Sequence, residues 1–259
     1  MPGRDLDLML GAAQAAGHIA RRHFNASPKV WDKGDGQGPV TEADLEIDQM
    51  LRALLLAARP DYGWLSEETT DTPERLTQDR VFIVDPIDGT RSFVDGQKTF
   101  AHSLAVAEQG RVIAAVVHLP MLDMTYSAAQ GKGAFLNGKP LAHSGRDSLD
   151  QAKILASRFQ FAPEHWPGGV PQVDRHFRPS LAYRLCLIAE GRFDGMVTLR
   201  DAWEWDIAAG ALICHEAGAL ITDRIGAALI FNSPTPKHPG VLAATPLVHA
   251  GLMAGLKAG

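Results

Sequence analysis

The stretch Val84-Asp85-Pro86-Ile87-Asp88-Gly89-Thr90 constrains this chain more than any other short segment in it. It closes an apolar run, Val81 to Val84, that reads as a short buried strand stopping at Asp85-Pro86. Two carboxylates three residues apart, fixed by a proline and followed by a Gly-Thr turn, would stand in a crevice at the strand end. Pro86 restrains the turn, and Gly89 lets backbone N–H groups approach an anion closely. Carboxylate oxygens beside a backbone carbonyl are the donors that a hard cation such as Mg2+ prefers. The same residues also suit an Asx-turn leading into a helix N-cap, which needs no metal.

Other segments offer acids at the ends of regular elements. Glu67-Glu68 follows Trp64-Leu65, and Trp205-Asp206 opens an apolar helical run. Convergence of such groups is what a metal site requires: two divalent ions about 3.5–4 Å apart can neutralise the cluster, activate a water and hold a phosphoryl oxygen. Taken singly, Asp206 reads first as a helix N-cap and Glu67-Glu68 as a solvated turn. Thr41-Glu42-Ala43-Asp44 matches a capping box, which by itself accounts for Asp44.

Along the chain, Leu6, Leu10, Ala13, Gly17 and Ala20 recur at helical spacing, and Ile47, Leu51, Leu54 and Ala58 do so again. Between these helices Lys33 to Pro39 is glycine-rich and reads as a mobile arm. Ala101 to Leu119 reads as two strands around Gln109-Gly110, with more strand and turn material to Leu141, so the first half is helices followed by an antiparallel sheet. The second half alternates: strand 154–156, helix 181–190, strand 196–199, helix 206–217, strand 241–244 and a terminal helix. This predicts an α/β layer arrangement in two subdomains, 1–147 with most of the candidate ligands and 148–259 with Asp206.

Composition excludes several classes. With 25 Lys+Arg against 30 Asp+Glu and a net charge of −5, the chain has no basic excess for bulk nucleic-acid binding. Its two cysteines, Cys186 and Cys214, lie among apolar neighbours and read as buried hydrophobes suited to a reducing cytosol. The N-terminal residues carry acids where a signal peptide carries positive charge, and no run approaches ~18 apolar residues, so a soluble cytoplasmic protein is expected. The ten histidines show no ligand clustering and are expected mostly at the surface. Gly131-Lys132-Gly133 lacks the spacing of a P-loop and reads as a hairpin turn, and His215-Glu216 lacks a second histidine for a zinc helix. Trp203 and Trp205 suit either a base-stacking wall or core.

The set Glu67-Glu68, Asp85-Pro86-Ile87-Asp88-Gly89-Thr90 and Trp205-Asp206-Ile207-Ala208-Ala209-Gly210, with Thr41-Glu42-Ala43-Asp44 upstream, resembles the inositol monophosphatase family of Mg2+-dependent, lithium-sensitive phosphatases. Order and spacing agree over nearly the whole chain. The resemblance implies a layered αβαβα sandwich, usually a homodimer, acting on a small phosphorylated metabolite. It assigns Glu67, Asp85 and the Ile87 carbonyl to a first Mg2+, and Asp85, Asp88 and Asp206 to a second. Asp44 with Glu67 would favour a third, weaker ion, and Thr90 would orient the attacking water. Lys33 falls on the family's mobile-loop lysine. The phosphate would rest on the N–H groups of Gly89 and Thr90 at a helix N-terminus, and attack would be in-line by metal-activated water without a phosphoenzyme.

Substrate class is read from departures. Glu204 before Trp205-Asp206 resembles the 3′(2′),5′-bisphosphate nucleotidase branch, and Arg184, in the segment beginning Ser180, falls where that branch carries a lysine facing the nucleotide. Leu199 falls where inositol enzymes place an acid. Arg184, Ser180 and Glu204 are therefore candidate substrate contacts, Arg184 serving a second phosphate or simply snorkelling to solvent. The reading leans to the nucleotidase, with inositol-1-monophosphatase or another small sugar or alcohol phosphatase as the alternative. A regulatory binding protein that keeps the fold is the alternative of another class. A cluster of like charges that is costly without metal argues against that one.

Overall fold

The structure, a computed structural model, describes residues 2–26, 28–34 and 38–257. Helix α1 (Pro2–His23) and strands β1 (Val30–Asp32) and β2 (Pro39–Thr41) precede α2 (Glu42–Ala58), β3 (Gly63–Ser66), β4 (Arg80–Asp88) and the short α3 (Thr90–Val94). Strands β5 (Ala101–Glu108), β6 (Arg111–Leu119), β7 (Met124–Ala129), β8 (Ala134–Leu136) and β9 (Lys139–Pro140) complete a sheet of seven in the order β3-β4-β5-β6-β7-β8-β9. Then follow β10 (Lys153–Leu155), β11 (Asp174–His176), α4 (Leu181–Ala189), β12 (Gly195–Thr198), β13 (Ala202–Trp203), α5 (Glu204–Glu216), β14 (Leu220–Thr222), β15 (Lys237–His238), β16 (Val241–Ala244) and α6 (Pro246–Lys257). The second sheet runs β11-β10-β12-β16-β14.

Side-chain alternation builds the layers. Along β4, Phe82 and Val84 face α1 and α2, whereas Val81 and Ile83 face the core shared with α4 and α5. A strand covered on both faces must be apolar at every position, which is why 81–84 reads as an unbroken run. Helix α1 presents Met9, Ala12, Ala13, Ala16 and Ala20 to the sheet, and α2 presents Ile47, Leu51 and Leu55. Burying each of these larger side chains contributes about 1.5–3 kcal/mol. Helix α5 is apolar all round because it lies between α4 and the large sheet. Gly210 permits this: a Cβ there would lie 2.6 Å from the Leu185 side chain of α4. Beyond the second sheet, α6 packs Val248, Leu252 and Met253 on Ile154, Val197 and Leu242. The succession is α1/α2, seven-stranded sheet, α4/α5, five-stranded sheet, α6, the expected αβαβα sandwich.

Several expectations need correction. The first sheet is not wholly antiparallel, since β3 and β4 pair in parallel. Strand β4 does not stop at Asp85-Pro86 but continues through a bulge to Asp88. The arm at 33–39 is flanked by β1 and β2, which pair antiparallel, and residues 35–37 of it lie outside the described residues. Most histidines reach the surface, fully at His18 and His215 and partly at five others, but His102, His118 and His249 are buried. The coil between β9 and β10 contains the division at 147/148, yet one cluster of buried side chains runs from Leu65 to Ala243 across it. Cys186 and Cys214 are free and buried, as expected, and among the described residues no helix is long and apolar enough to cross a membrane.

Candidate active site

In a regular strand, residues three apart point to opposite faces. Asp85 and Asp88 escape that rule because β4 pairs Asp85 with Ser103 and Asp88 with Ala101, so that Pro86 and Ile87 together oppose His102 alone. The extra residue returns Asp88 to the side of Asp85. Gly89, at φ +100°, then turns the chain into α3, a conformation an L side chain rarely adopts. Asp206 arrives from α5, fastened to the same sheet by the Ser103 hydroxyl donating to the Trp205 carbonyl at 2.9 Å. Asp206 is not the N-cap, a position held by Trp203, but sits in the first turn and accepts from the Trp203 N–H. Asp85, Asp88 and Asp206 thereby each bring a carboxylate oxygen within 4.8 Å of the others.

The surrounding groups fix this cluster. Asp88 Oδ2 accepts from the Ser180 hydroxyl at 2.5 Å and from the Ala182 N–H at 2.6 Å, while Ser180 also caps α4 by accepting from the Tyr183 N–H. Asp44 closes the expected capping box and also reaches Thr90. Its Oδ2 accepts from Thr41 N–H at 2.8 Å in a reciprocal capping box, and its Oδ1 accepts from the Thr90 hydroxyl at 3.2 Å. Thr90 Oγ1 also lies 3.1 Å from the Ile87 carbonyl. Glu67 follows β3 directly, its N–H donating to the Val84 carbonyl. Glu67-Glu68 is not a solvated turn: Lys33 Nζ lies 2.8 Å from Glu67 and 2.6 Å from Glu68, whose side chain is buried. Sequence reasoning missed Asp48, which accepts from Ser66 at 2.5 Å and Thr69 at 2.6 Å and so shapes the turn bearing Glu67. The available signal was a second acid, four residues after Asp44, on the buried stripe of α2.

The electrostatics are those of crowded, desolvated acids. Burial, then the charges of Glu67, Asp88 and Asp206, hold the Asp85 carboxyl well above its ordinary range. Asp206 is raised by desolvation and by Asp88 and Glu67, and Asp88 by burial against the opposing pull of Ser180, Ala182 and Arg184. Burial lifts Asp44 to about 6 and Glu68 to about 7. Burial lowers the Lys33 pKa, but Glu67 and Glu68 outweigh it and the ammonium is held on more firmly. Asp85 Oδ1 is buried without a hydrogen-bond partner. An orphaned carboxylate oxygen among converging acids is a donor set that fits a hard divalent ion.

Two candidate specificity residues have internal work. Glu204 is fully buried at the start of α5 and accepts from the N–H groups of Asn232 (2.6 Å) and Ser233 (3.0 Å) and from the Ser233 hydroxyl (2.5 Å). That occupies both oxygens with a loop. Arg184 does not snorkel: it is 6% exposed, donates to the carbonyls of Ser180 (3.3 Å) and Pro179 (3.2 Å), and lies over the Phe177 ring. Burial lowers it to about 10 against the attraction of Asp88 and Asp206. Leu199 packs in the α6 core. Trp203 and Trp205 stack on one another at 4.6 Å with Lys237 over the Trp203 ring.

Comparison with known proteins agrees with this architecture. The profile of the inositol monophosphatase family matches residues 5–258. Inositol-1-monophosphatase of Rhizobium meliloti is 35% identical over 232 residues, covering 85% of this chain and 86% of that protein. The Nus factor SuhB of Pseudomonas aeruginosa is 32% identical over 240 residues, covering 85% and 86%. The solved structure of a Thermotoga maritima IMPase superposes with a TM-score of 0.83 at 30% identity, covering 97% of this chain and 96% of that one. A bulged strand end and a helix start that converge on one acidic cluster, together with a match over almost the full length, place this chain in the inositol monophosphatase family, whose members hydrolyse phosphate monoesters.

Proposed function

We propose that this protein is an Mg2+-dependent phosphatase of inositol 1-phosphate or a closely similar polyol phosphate, acting in the cytoplasm as a homodimer. The orphaned Asp85 Oδ1 at the centre of Asp85, Asp88 and Asp206 is the observation that carries it. The Rhizobium meliloti relative is named inositol-1-monophosphatase, which favours the polyol substrate over the bisphosphate nucleotide. The bonds of Glu204 to the 232–233 loop and of Arg184 to the carbonyls of Ser180 and Pro179 give both residues internal roles, which supports the polyol reading.

Glu67, Asp85 and the Ile87 carbonyl would hold one ion, and Asp85, Asp88 and Asp206 a second, with Asp44 and Glu67 beside a weaker third position. Bound Mg2+ supplies neutralisation of phosphoryl charge and a lowered pKa for its water. The chain's own groups then position the reactants. Thr90 Oγ1 has one proton, directed to Asp44 Oδ1 or to the Ile87 carbonyl, so its lone pairs are left to accept from the attacking water. The N–H groups of Gly89 and Thr90 would hold phosphate oxygens; α3 is only five residues long, so the turned backbone contributes more than a helix dipole. Lys33 balances Glu67 and Glu68 beside the incoming phosphate. Water oxygen bonds to phosphorus and the bond from phosphorus to the alcohol oxygen breaks; of the water's two protons one ends on the departing alcohol oxygen and the other stays on the phosphate, so that alcohol and hydrogen phosphate are the products. Positioning and charge neutralisation provide the acceleration.

Phosphate release with Mg2+ from inositol 1-phosphate and from adenosine 3′,5′-bisphosphate, measured side by side, tests the reading. A kcat/KM at least tenfold higher for the inositol ester is expected; the reverse preference overturns the substrate assignment and leaves the metal cluster standing.

A further inference from the structure

His102 is the single residue of β5 that faces the bulge bearing the ligands. Its Nδ1 lies 2.5 Å from the Pro86 carbonyl, the peptide oxygen between Asp85 and Ile87. A carbonyl can only accept, so Nδ1 carries the proton and donates. The bulge takes Pro86 and Ile87 out of the ladder, and proline has no N–H of its own, so the imidazole supplies a tie that regular pairing would have provided. The ring is itself fixed. His118 is its cross-strand partner on β6, with ring centroids 6.0 Å apart, and His118 Nδ1 lies 2.9 Å from Thr125 Oγ1. Helix α1 closes over the pair through Gly17, where a Cβ would come within 2.8 Å of His118 Nε2. His102 Nε2 is buried without a hydrogen-bond partner, a cost that a hydrocarbon side chain would not carry, so packing alone does not account for an imidazole here.

We infer that His102 is a positioning residue for the metal site, orienting through the Pro86 carbonyl the turn that presents Asp85, Ile87 and Asp88. The inference rests on these residues being the metal ligands. Partners bonded directly to a ligand typically contribute ten- to a hundredfold to metal affinity, and His102, which acts through the Pro86 carbonyl next to two ligands, is expected at the low end of that range.

The test is calorimetric titration of the metal-free full chain with Mn2+, together with His102→Leu, which keeps the bulk and removes the donor, and His102→Asn, whose amide nitrogen replaces Nδ1. Leu is expected to weaken Mn2+ binding roughly tenfold or more, and Asn to stay within about threefold of the parent. Equal binding by all three proteins, or equal weakening in both folded variants, overturns the inference. Absence of Mn2+ binding by the parent overturns the metal reading beneath it, a distinguishable failure. Should the Leu variant not fold, the unsubstituted protein still decides: NMR must show a protected His102 Nδ1 proton coupled to the Pro86 carbonyl, and its absence refutes the contact.

Discussion

Replacing Asp85 by asparagine should stabilise the metal-free protein while removing its response to metal. Asp85 is 1% exposed, and one of its oxygens has no partner. Its carboxylate shares with Asp88 and Asp206 a space in which the ligand oxygens lie within 4.8 Å. At an effective dielectric near 20, two unit charges at that distance repel by roughly 3.5 kcal/mol. Proton uptake by the cluster relieves part of this, as the raised pKa values of all three acids indicate. The net gain on removing one charge is then about 2 kcal/mol, in the range found when buried charges are replaced by neutral groups. For a chain of this size that corresponds to roughly 4–8 °C in Tm. In EDTA, the Asp85→Asn protein should therefore unfold above the parent. With Mg2+ at a hundred times its Kd the parent should gain about 2.7 kcal/mol and the variant little. A variant less stable than the parent in EDTA, or one that keeps the full Mg2+ gain, refutes the account of the cluster as unrelieved like charge awaiting a cation.

Other expectations follow from the same geometry. Because Asp44 (about 6), Glu68 (about 7) and the three aspartates titrate above their unfolded values, the folded metal-free chain binds the extra protons. The stability they contribute is thus present at low pH and lost as pH rises through about 6 to 7, while His102 (about 3) and His118 (about 4), lowered by burial, pull the other way below about 6.5; the EDTA Tm should therefore fall between about pH 6.5 and 8, and saturating Mg2+ should flatten that slope. Lys33→Met leaves Glu68 buried without its cation; a loss of about 3 kcal/mol is expected in EDTA and a smaller one in Mg2+, read by thermal unfolding. Ser180→Ala removes both the α4 cap and a donor to Asp88, lowering stability by about 1–2 kcal/mol and, measured separately, Mn2+ affinity roughly tenfold. Glu204→Gln should cost about 1–3 kcal/mol through the 232–233 loop yet leave the ratio of activities on inositol and nucleotide phosphates unchanged; a shifted ratio would restore Glu204 as a specificity residue.

The layers were legible because burial on two faces writes itself into composition. Val81 to Val84, Leu104 to Ala107 and Val112 to Val117 are buried on both faces, and the paired turn residues Gln109-Gly110, both at positive φ, mark the hairpin between β5 and β6. The acids were legible because each follows a recognisable end: a strand before Asp85, a capping signature around Asp44, an apolar helix after Asp206. Solvation was not. Glu68 looks like surface in sequence, and only the three-dimensional return of Lys33 buries it. Arg184 stands on a helix that, read alone, has room for a snorkelling arginine, whereas the adjoining carbonyls and Phe177 hold it inside. The bulge at Pro86-Ile87 was equally hidden. A proline after an acid reads as a strand end, and whether pairing resumes beyond it depends on β5, a separate segment of chain.

That bulge explains why the site sits on this sheet. A metal cluster needs several anions on one side of a rigid support, but a regular strand alternates its side chains and a sheet buried on both faces tolerates no unpaired charge. Inserting one residue opposite His102 places two aspartates on the same side at the point where β4 ends, and the start of α5 brings the third against it. Local bonds from Ser180 and Ala182 offset part of the cost at Asp88, and at Asp85, whose Oδ1 is left without a partner, the double layer of packing around β4 bears it. A loop carrying the same three acids would relax by spreading them apart. Here the Ser103 to Trp205 bond and the close approach of α4 and α5 at Gly210 hold the spacing, so the three carboxylates are kept together by the fold itself.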